Sequence, residues 1–470
     1  MRLSESMTAY RCVRMIVTDC LALSDRRFVH GRVTVLLCSL FLSVVAAPHL
    51  SLAQSPAAQP KKAAQPKKDA ATAKKETGGE AATLQLPADG KDGRELLLRN
   101  FRPQSKLKVA ETLLQHAKYS VVDVHTHFHY RLRGNEQALA DFVAVMDRNQ
   151  IAVCASLDGK LGTQLTDHCK FLRAKYQDRF VIFANVDWVG DGDTDDPSTW
   201  ACHRSGFGQR TADQLSEAVK TDGISGLKVF KRFGLKYRNP DGSLIEIDDV
   251  RWDPIWKRCG ELGIPVIIHT ADPAAFFDPI DATNERWEEL SRHPDWSFYG
   301  DDFPSRQELL AARNRVIAKH SGTQFIGAHI ANSSEDLSSV SKWLDTYPNL
   351  WIEPASRIAE LGRQPFTSRE FLIKYADRLL FGTDGPQPET RLRLYWRFFE
   401  THDQSFPYSE KVPPPQGFWQ IHGVKLPDAV LKKLYYENAA RLIPGVAQRV
   451  AIFEKQRRLT SPTQQSANNE

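Results

Sequence analysis

Short apolar runs rich in β-branched residues recur along the chain, each followed by a loop and then by a stretch with helical spacing. Eight stand out: Val121 to His125, Ile151 to Leu157, Phe180 to Val186, Gly226 to Phe230, Pro265 to His269, Phe325 to His329, Leu350 to Glu353 and Leu379 to Thr383. Their near-continuous apolar character suits strands buried on both faces, and alternation with helices suits right-handed βαβ units. Ala138 to Asn149, Arg251 to Leu262 and Asp428 to Leu442 place apolar residues three and four apart, as amphipathic helices do. An α/β fold of the (β/α)8 TIM-barrel type is the simplest architecture that uses all eight runs. A doubly wound open sheet is the alternative, but it would place a glycine-rich phosphate loop after the first strand, where this chain has His-Thr-His.

Two connections are longer than a simple repeat needs: Thr270 to Gln324, between strands five and six, and Gly385 to Pro427, before the last helix. The first carries Phe276, Phe277, Trp287, Trp296, Phe298 and Tyr299. Such aromatic content predicts either a folded lid over the barrel mouth or packing against a neighbouring subunit.

Outside residues 90–456, where the barrel is expected, the pattern changes. Residues 54–89 are rich in Ala, Pro, Gln and Lys, with AAQPKK twice in succession from Ala57 to Lys68, and read as a disordered tether. Residues 457–470 form a similar polar tail. Within residues 1–53, Arg26, Arg27 and Arg32 precede the apolar run Val33 to Ala47, and Ser51-Leu52-Ala53 offers small residues for cleavage. That is the pattern of a signal peptide, with an uncleaved membrane anchor as the alternative; either places the protein outside the cytoplasm, periplasmic or secreted. The net charge of +5 lies partly in lysine pairs of the tether, so no basic face argues for nucleic acid. Cys154, Cys169, Cys202 and Cys259 form no C-x-x-C pair, which argues against a cysteine zinc site, while an oxidising compartment would permit a disulfide of unspecified pairing.

Candidate chemistry gathers at the strand ends. His125-Thr126-His127 ends the first run, and period-two alternation points both imidazoles the same way. His269, His329 and Asp384 each fall at, or one residue beyond, the end of another run, which in a barrel is the rim where active sites are built. Taken singly, each has a bland reading: a core histidine, or a turn aspartate before Gly385 and Pro386. Together, imidazoles and a carboxylate suit a borderline divalent ion, above all zinc, with a position open for water that the ion would acidify. Asp384 could both bind metal and accept a proton.

The order Asp123-Val-His-Thr-His127, Gly226-Leu-Lys-Val-Phe230, Val266-Ile-Ile-His-Thr270, Gly327-Ala-His-Ile-Ala331 and Phe381-Gly-Thr-Asp-Gly-Pro386, closed by Leu434 to Leu442, resembles the amidohydrolase-related family that includes aminocarboxymuconate-semialdehyde decarboxylase. It spans nearly all of Val121 to Leu442. The resemblance implies a (β/α)8 barrel in which His125, His127, His269 and Asp384 are metal ligands and His329 activates water or contacts substrate; in other branches the strand-six histidine is itself a ligand. It also implies homo-oligomers. Lys228 stands where binuclear relatives carry a carboxylated lysine bridging two metals, so one ion or two depends on it; the alternative is a contact to substrate carboxylate.

Arg357, after the seventh run, is a candidate for meeting an anionic group, a structural salt bridge being the alternative. Asp123 either orients a ligand histidine or belongs to a polar barrel floor, and His129 reads as a loop residue. The preferred activity is hydrolysis of a small, carboxylate-bearing ester, lactone or amide, with Asp384 and His329 as the proton-handling groups. The runner-up is non-oxidative decarboxylation of an unsaturated or aromatic carboxylic acid. A third reading, a secreted binding protein without turnover, is disfavoured by the retention of all five polar rim positions.

Overall fold

The computed structural model describes residues 103–460, so the expected signal or anchor, the tether and most of the polar tail lie outside the described residues. The final helix, Val446–Thr460, runs past residue 457, where the tail was expected to begin.

Seven parallel strands pair in chain order: β1 (Val121–Thr126), β2 (Ile151–Ser156), β3 (Phe180–Asn185), β4 (Gly226–Val229), β5 (Val266–Ile268), β6 (Phe325–Gly327) and β7 (Leu350–Ile352). Every position in them is buried, as strands covered on both faces require. The eighth expected run forms no regular strand, yet it occupies the strand's place. Leu380 donates its N–H to Ile352 of β7 at 2.9 Å, while Phe381 accepts from Val124 of β1 at 2.9 Å and Gly385 from His127, just after β1, at 2.7 Å. The curled sheet thus closes on itself through residues 379–385, and the fold is an α/β TIM barrel.

Helices cover the outside. Glu136–Arg148 starts at Asn135, whose side chain accepts from Ala138 N–H, a cap contributing about 1 kcal/mol, and it buries Leu139, Phe142, Val143 and Met146 at three- and four-residue spacing. It packs on β2, as Thr163–Tyr176 packs on β3 and Leu337–Thr346 on β7. The expected helix from Arg251 forms as a short 3₁₀ turn, Val250–Trp252, followed by Asp253–Glu261. Among the described residues no helix is long and apolar enough to cross a membrane.

The insertion between β5 and β6 is folded in its own right. Phe276 and Phe298 are buried, with Phe277 and Phe303 packed on Phe298, whereas Trp287, Trp296 and Tyr299 face outward. A buried ion pair from Arg286 to Glu360, with Glu289 at 2.9 Å from the same guanidinium, fastens the insertion to the segment after β7. It ends in the helix Arg306–Lys319, begun by a reciprocal capping box between Ser305 and Glu308. Cys154, Cys169, Cys202 and Cys259 are all buried free thiols, so the disulfide that the compartment would permit does not form among them.

Candidate metal centre

Alternation along β1 puts Asp123, His125 and His127 on one face. His125 donates through Nδ1 to Glu353 Oε1 at 2.8 Å, and His127 through Nδ1 to Asp158 Oδ1 at 2.7 Å. Each carboxylate fixes a tautomer, and each ring is left with Nε2 free as a ligand atom. Those two Nε2 atoms lie 3.9 and 3.5 Å from Asp384 Oδ1. His125, His127 and Asp384 therefore converge with ligand atoms within 4.8 Å of one another.

Asp384 belongs to the closing segment and takes a left-handed backbone, φ 61°. Its Oδ2 accepts from Ser356 Oγ at 3.2 Å, and its carbonyl accepts from Arg131 at 2.9 Å. Burial alone would raise its pKa, but electrostatic interaction with the surrounding His125, His127, Arg131 and Lys228 side chains outweighs this and holds the carboxyl below its ordinary value. Asp123 orients no imidazole. It accepts from His125 N–H at 3.1 Å and from Thr383 N–H and Oγ1 at 3.1 and 2.5 Å, tying β1 to the closing segment, while burial lifts its pKa to about 7.

His329 arrives by a different route. β6 ends at Gly327, and residues His329, Ile330, Ala331 and Asn332 follow with φ of 57°, 56°, 47° and 58°. Four consecutive non-glycine residues in the left-handed region cost roughly 1–2 kcal/mol each, so the turn needs support from elsewhere. Glu353 supplies part of it: Oε1 accepts His329 N–H at 2.9 Å, and its carbonyl accepts Ile330 N–H at 2.7 Å. His329 Nδ1 donates to Ala355 O at 2.7 Å, and its ring centroid lies 4.8 Å from that of His125.

His269 sits just beyond β5 with its ring 4.5 Å from His329, but its Nε2 faces Asp272 Oδ1 at 3.4 Å, and Asp272 is also paired with Lys231. It stands beside the converging atoms rather than among them. A second convergent group joins His125, His329 and Glu353, yet Glu353 Oε1 is already engaged by His125 Nδ1 and His329 N–H and serves as a brace. Burial drives the pKa of His125 and His329 well down and that of His269 to about 4, so all three are neutral near pH 7. Neutral imidazoles are the form a metal requires. The donor set therefore fits a divalent ion held by His125, His127 and Asp384, with His329 and His269 alongside.

Lys228 in β4 is 1% exposed, with Nζ 3.5 Å from His125 Nε2, and burial lowers its pKa to about 8. Arg357 is 7% exposed; Nη1 donates to Ser356 O at 3.0 Å, and among the described residues no carboxylate lies within ion-pair reach. Its charge nevertheless acts on Glu289 and Glu353, opposing the rise that burial gives their pKa values. His129 lies in the short helix Phe128–Leu132, not in a loop, with Nε2 3.1 Å from Gln164.

Sequence reasoning missed Glu353 and Asp158. Both follow the rule applied to the other rim residues: Glu353 ends the seventh run, and Asp158 lies just after the second, in Leu157-Asp-Gly159.

A TIM-barrel protein from Bordetella bronchiseptica is 14% identical, covering 71% of this chain and 99% of its own, with a TM-score of 0.41. A 2,6-dihydroxybenzoate decarboxylase complexed with 2,6-dihydroxybenzoate is 17% identical, covering 70% and 99%, with a TM-score of 0.41. A dihydroxybenzoic acid decarboxylase from a Polaromonas species, with bound manganese and 2-nitroresorcinol, is 16% identical, covering 70% and 96%, with a TM-score of 0.40. No curated protein matches the sequence. The amidohydrolase family model, by contrast, matches residues 122–445, from β1 to the turn before the final helix. With that match and a donor cluster suited to a divalent ion, the chain belongs to the amidohydrolase family of metal-dependent enzymes.

Proposed function

We propose that the protein hydrolyses a small, carboxylate-bearing ester, lactone or amide, with one divalent ion, zinc by donor preference, held by His125, His127 and Asp384. The observation that carries this reading is the meeting of a carboxylate held below its ordinary pKa, Asp384, and a buried imidazole, His329, at the same histidine: Asp384 Oδ1 lies 3.9 Å from His125 Nε2, and the His329 ring centroid lies 4.8 Å from that of His125. When bound, the ion would supply Lewis acidity, polarising the substrate carbonyl and acidifying water. Asp384 takes the proton from water and passes it to the leaving group, and His329, whose Nδ1 proton is donated to Ala355 O, presents its Nε2 lone pair to the attacking water and helps align it. Arg357, a nearly buried guanidinium with no carboxylate within ion-pair distance among the described residues, seats the substrate's acid group. Export rests on the apolar run Val33 to Ala47 and its flanks, and a homo-oligomer on the family resemblance alone.

Non-oxidative decarboxylation is the second reading, and Lys228 favours it: beside His125 it could seat a carboxylate directly at the ion, where that group becomes the one lost as carbon dioxide. One assay decides between them. The metal-loaded protein is offered carboxylate-bearing lactones, esters and amides and, separately, hydroxybenzoates and unsaturated diacids. Chelator-sensitive acid release from the first set supports hydrolysis, carbon dioxide from the second supports decarboxylation, and neither from a broad panel counts against both. Metal content of wild type beside Lys228→Ala settles the ion count: we expect about one ion in each, and a fall from two would establish a bridging lysine.

A further inference from the structure

The left-handed turn after β6 is held from behind by an arginine whose burial nothing else explains. Arg313 lies in the helix Arg306–Lys319, is 0% exposed, and has no carboxylate within ion-pair reach among the described residues. Its guanidinium lies over the Trp343 ring at 4.6 Å; Nε and Nη2 donate to Asn314 Oδ1 at 3.2 and 2.9 Å, and Nη1 donates to Ala331 O at 2.6 Å. Burial, with Arg306 nearby, depresses its pKa to about 9. Burying a cation without a counter-ion is costly unless its hydrogen bonds compensate, so the acceptors it meets indicate what it does.

The turn is where that function is found. Ala331 is its third left-handed residue, and the next carbonyl, Asn332 O, is taken by Arg306, which also reaches Ser333 Oγ at 3.0 Å. On the other side, Thr270, the neighbour of His269, donates its N–H to Asn332 Oδ1 at 3.1 Å. A relaxed, right-handed course would swing these carbonyls away from the two guanidiniums and move His329 off the Ala355 carbonyl that fixes its ring. Arg306 has a carboxylate partner, Glu335 at 2.9 Å, and so has another reason to be charged; Arg313 has none.

We propose that Arg313 is a positioning residue: through the Ala331 carbonyl it holds residues 329–332 left-handed and so keeps the His329 imidazole against the metal cluster. This rests on His329 having the role given above, and it adds a residue one layer away that touches neither ion nor substrate.

Arg313→Met tests it in the metal-loaded protein. The expected result is a folded chain with wild-type metal content in which residues 329–332 leave the left-handed region, seen by crystallography, and the His329 Nδ1 proton is lost from the imidazole NMR spectrum. Turnover falls about 10- to 100-fold in kcat with KM within about threefold, the split that marks misplacement of a reacting group and not lost binding. Adding Ala331→Gly to Arg313→Met should return most of the loss, because glycine takes positive φ without steric cost. An unchanged turn in Arg313→Met, or a loss that glycine does not recover, overturns the proposal. If Arg313→Met does not accumulate, the double variant decides: folding restored by glycine supports the role, and continued failure means Arg313 supports the barrel at large. The backbone and NMR readouts need no substrate, so a wild type inactive on esters and lactones would sink the hydrolase reading while leaving this one intact.

Discussion

The ends of β1 and β6 deliver imidazoles to the same cluster, β1 with His125 in the strand and His127 just beyond it at negative φ, and β6 through four consecutive left-handed residues. Around the end of β1 no residue takes positive φ, and Asp158 after β2 and Glu353 after β7 lock the tautomers of the two rings. At β6 the ring is placed by a strained turn that depends on Glu353, Arg306 and Arg313 around it. A rigid strand suits a ligand that must not move, and an externally braced turn suits a group that must meet the substrate at one angle.

The contrast can be broken most sharply at the rings themselves. His125→Asn is expected to strip the ion and abolish turnover, whereas His329→Asn should keep the ion and lower kcat by about 10²- to 10⁴-fold, with elemental analysis beside kinetics separating the two. Next come the braces. Glu353→Gln and Asp158→Asn should each weaken metal affinity by roughly 10- to 100-fold, but only Glu353→Gln, which also loosens the turn, should lower kcat once metal is saturating. Equal effects of the two would erase the distinction between the strand ends.

A smaller effect follows from pH. The pKa of His269 is about 4 in the folded protein, against the ordinary imidazole value near 6.5, because burial disfavours the charged ring. Below pH 6.5 the unfolded chain therefore binds the extra proton first. The melting temperature of metal-stripped protein should accordingly hold above pH 6.5 and fall as pH drops towards 4, while His269→Asn flattens part of that slope. The smallest expected effect is on stability. Ala212→Gly, in the right-handed helix Phe207–Thr221, should cost about 1 kcal/mol or more, whereas Ala331→Gly, also buried, should cost less or nothing because it relieves positive φ. Urea denaturation compares them directly.

What could be read from the chain follows the same division. His125-Thr-His127 was legible because period-two alternation needs no knowledge of the rest of the fold, and seven of the eight runs formed strands because their continuous apolar character suits burial on both faces. The turn at His329 was not legible: no glycine marks it, and only Asn332 among its four residues favours that conformation. His329 accordingly looked like a strand end. Glu353 and Asp158 stood at rim positions but act through rings distant in sequence, so only packing reveals their partners. Arg313 falls in a helix whose buried face includes Leu309, Leu310 and Val316, and sequence cannot distinguish an inward arginine from a solvated one.

The irregular eighth segment of the barrel wall is held to β7 and β1 by a few backbone bonds and by the Asp123 to Thr383 contacts. Asp384 sits on that segment, while His125 and His127 sit on the strand opposite, so an ion bridging them would staple the seam shut. Local opening there is then the event that frees the ion. Amide exchange at Val124 and His127 should slow on metal loading, and metal release to a chelator should be no faster than that exchange.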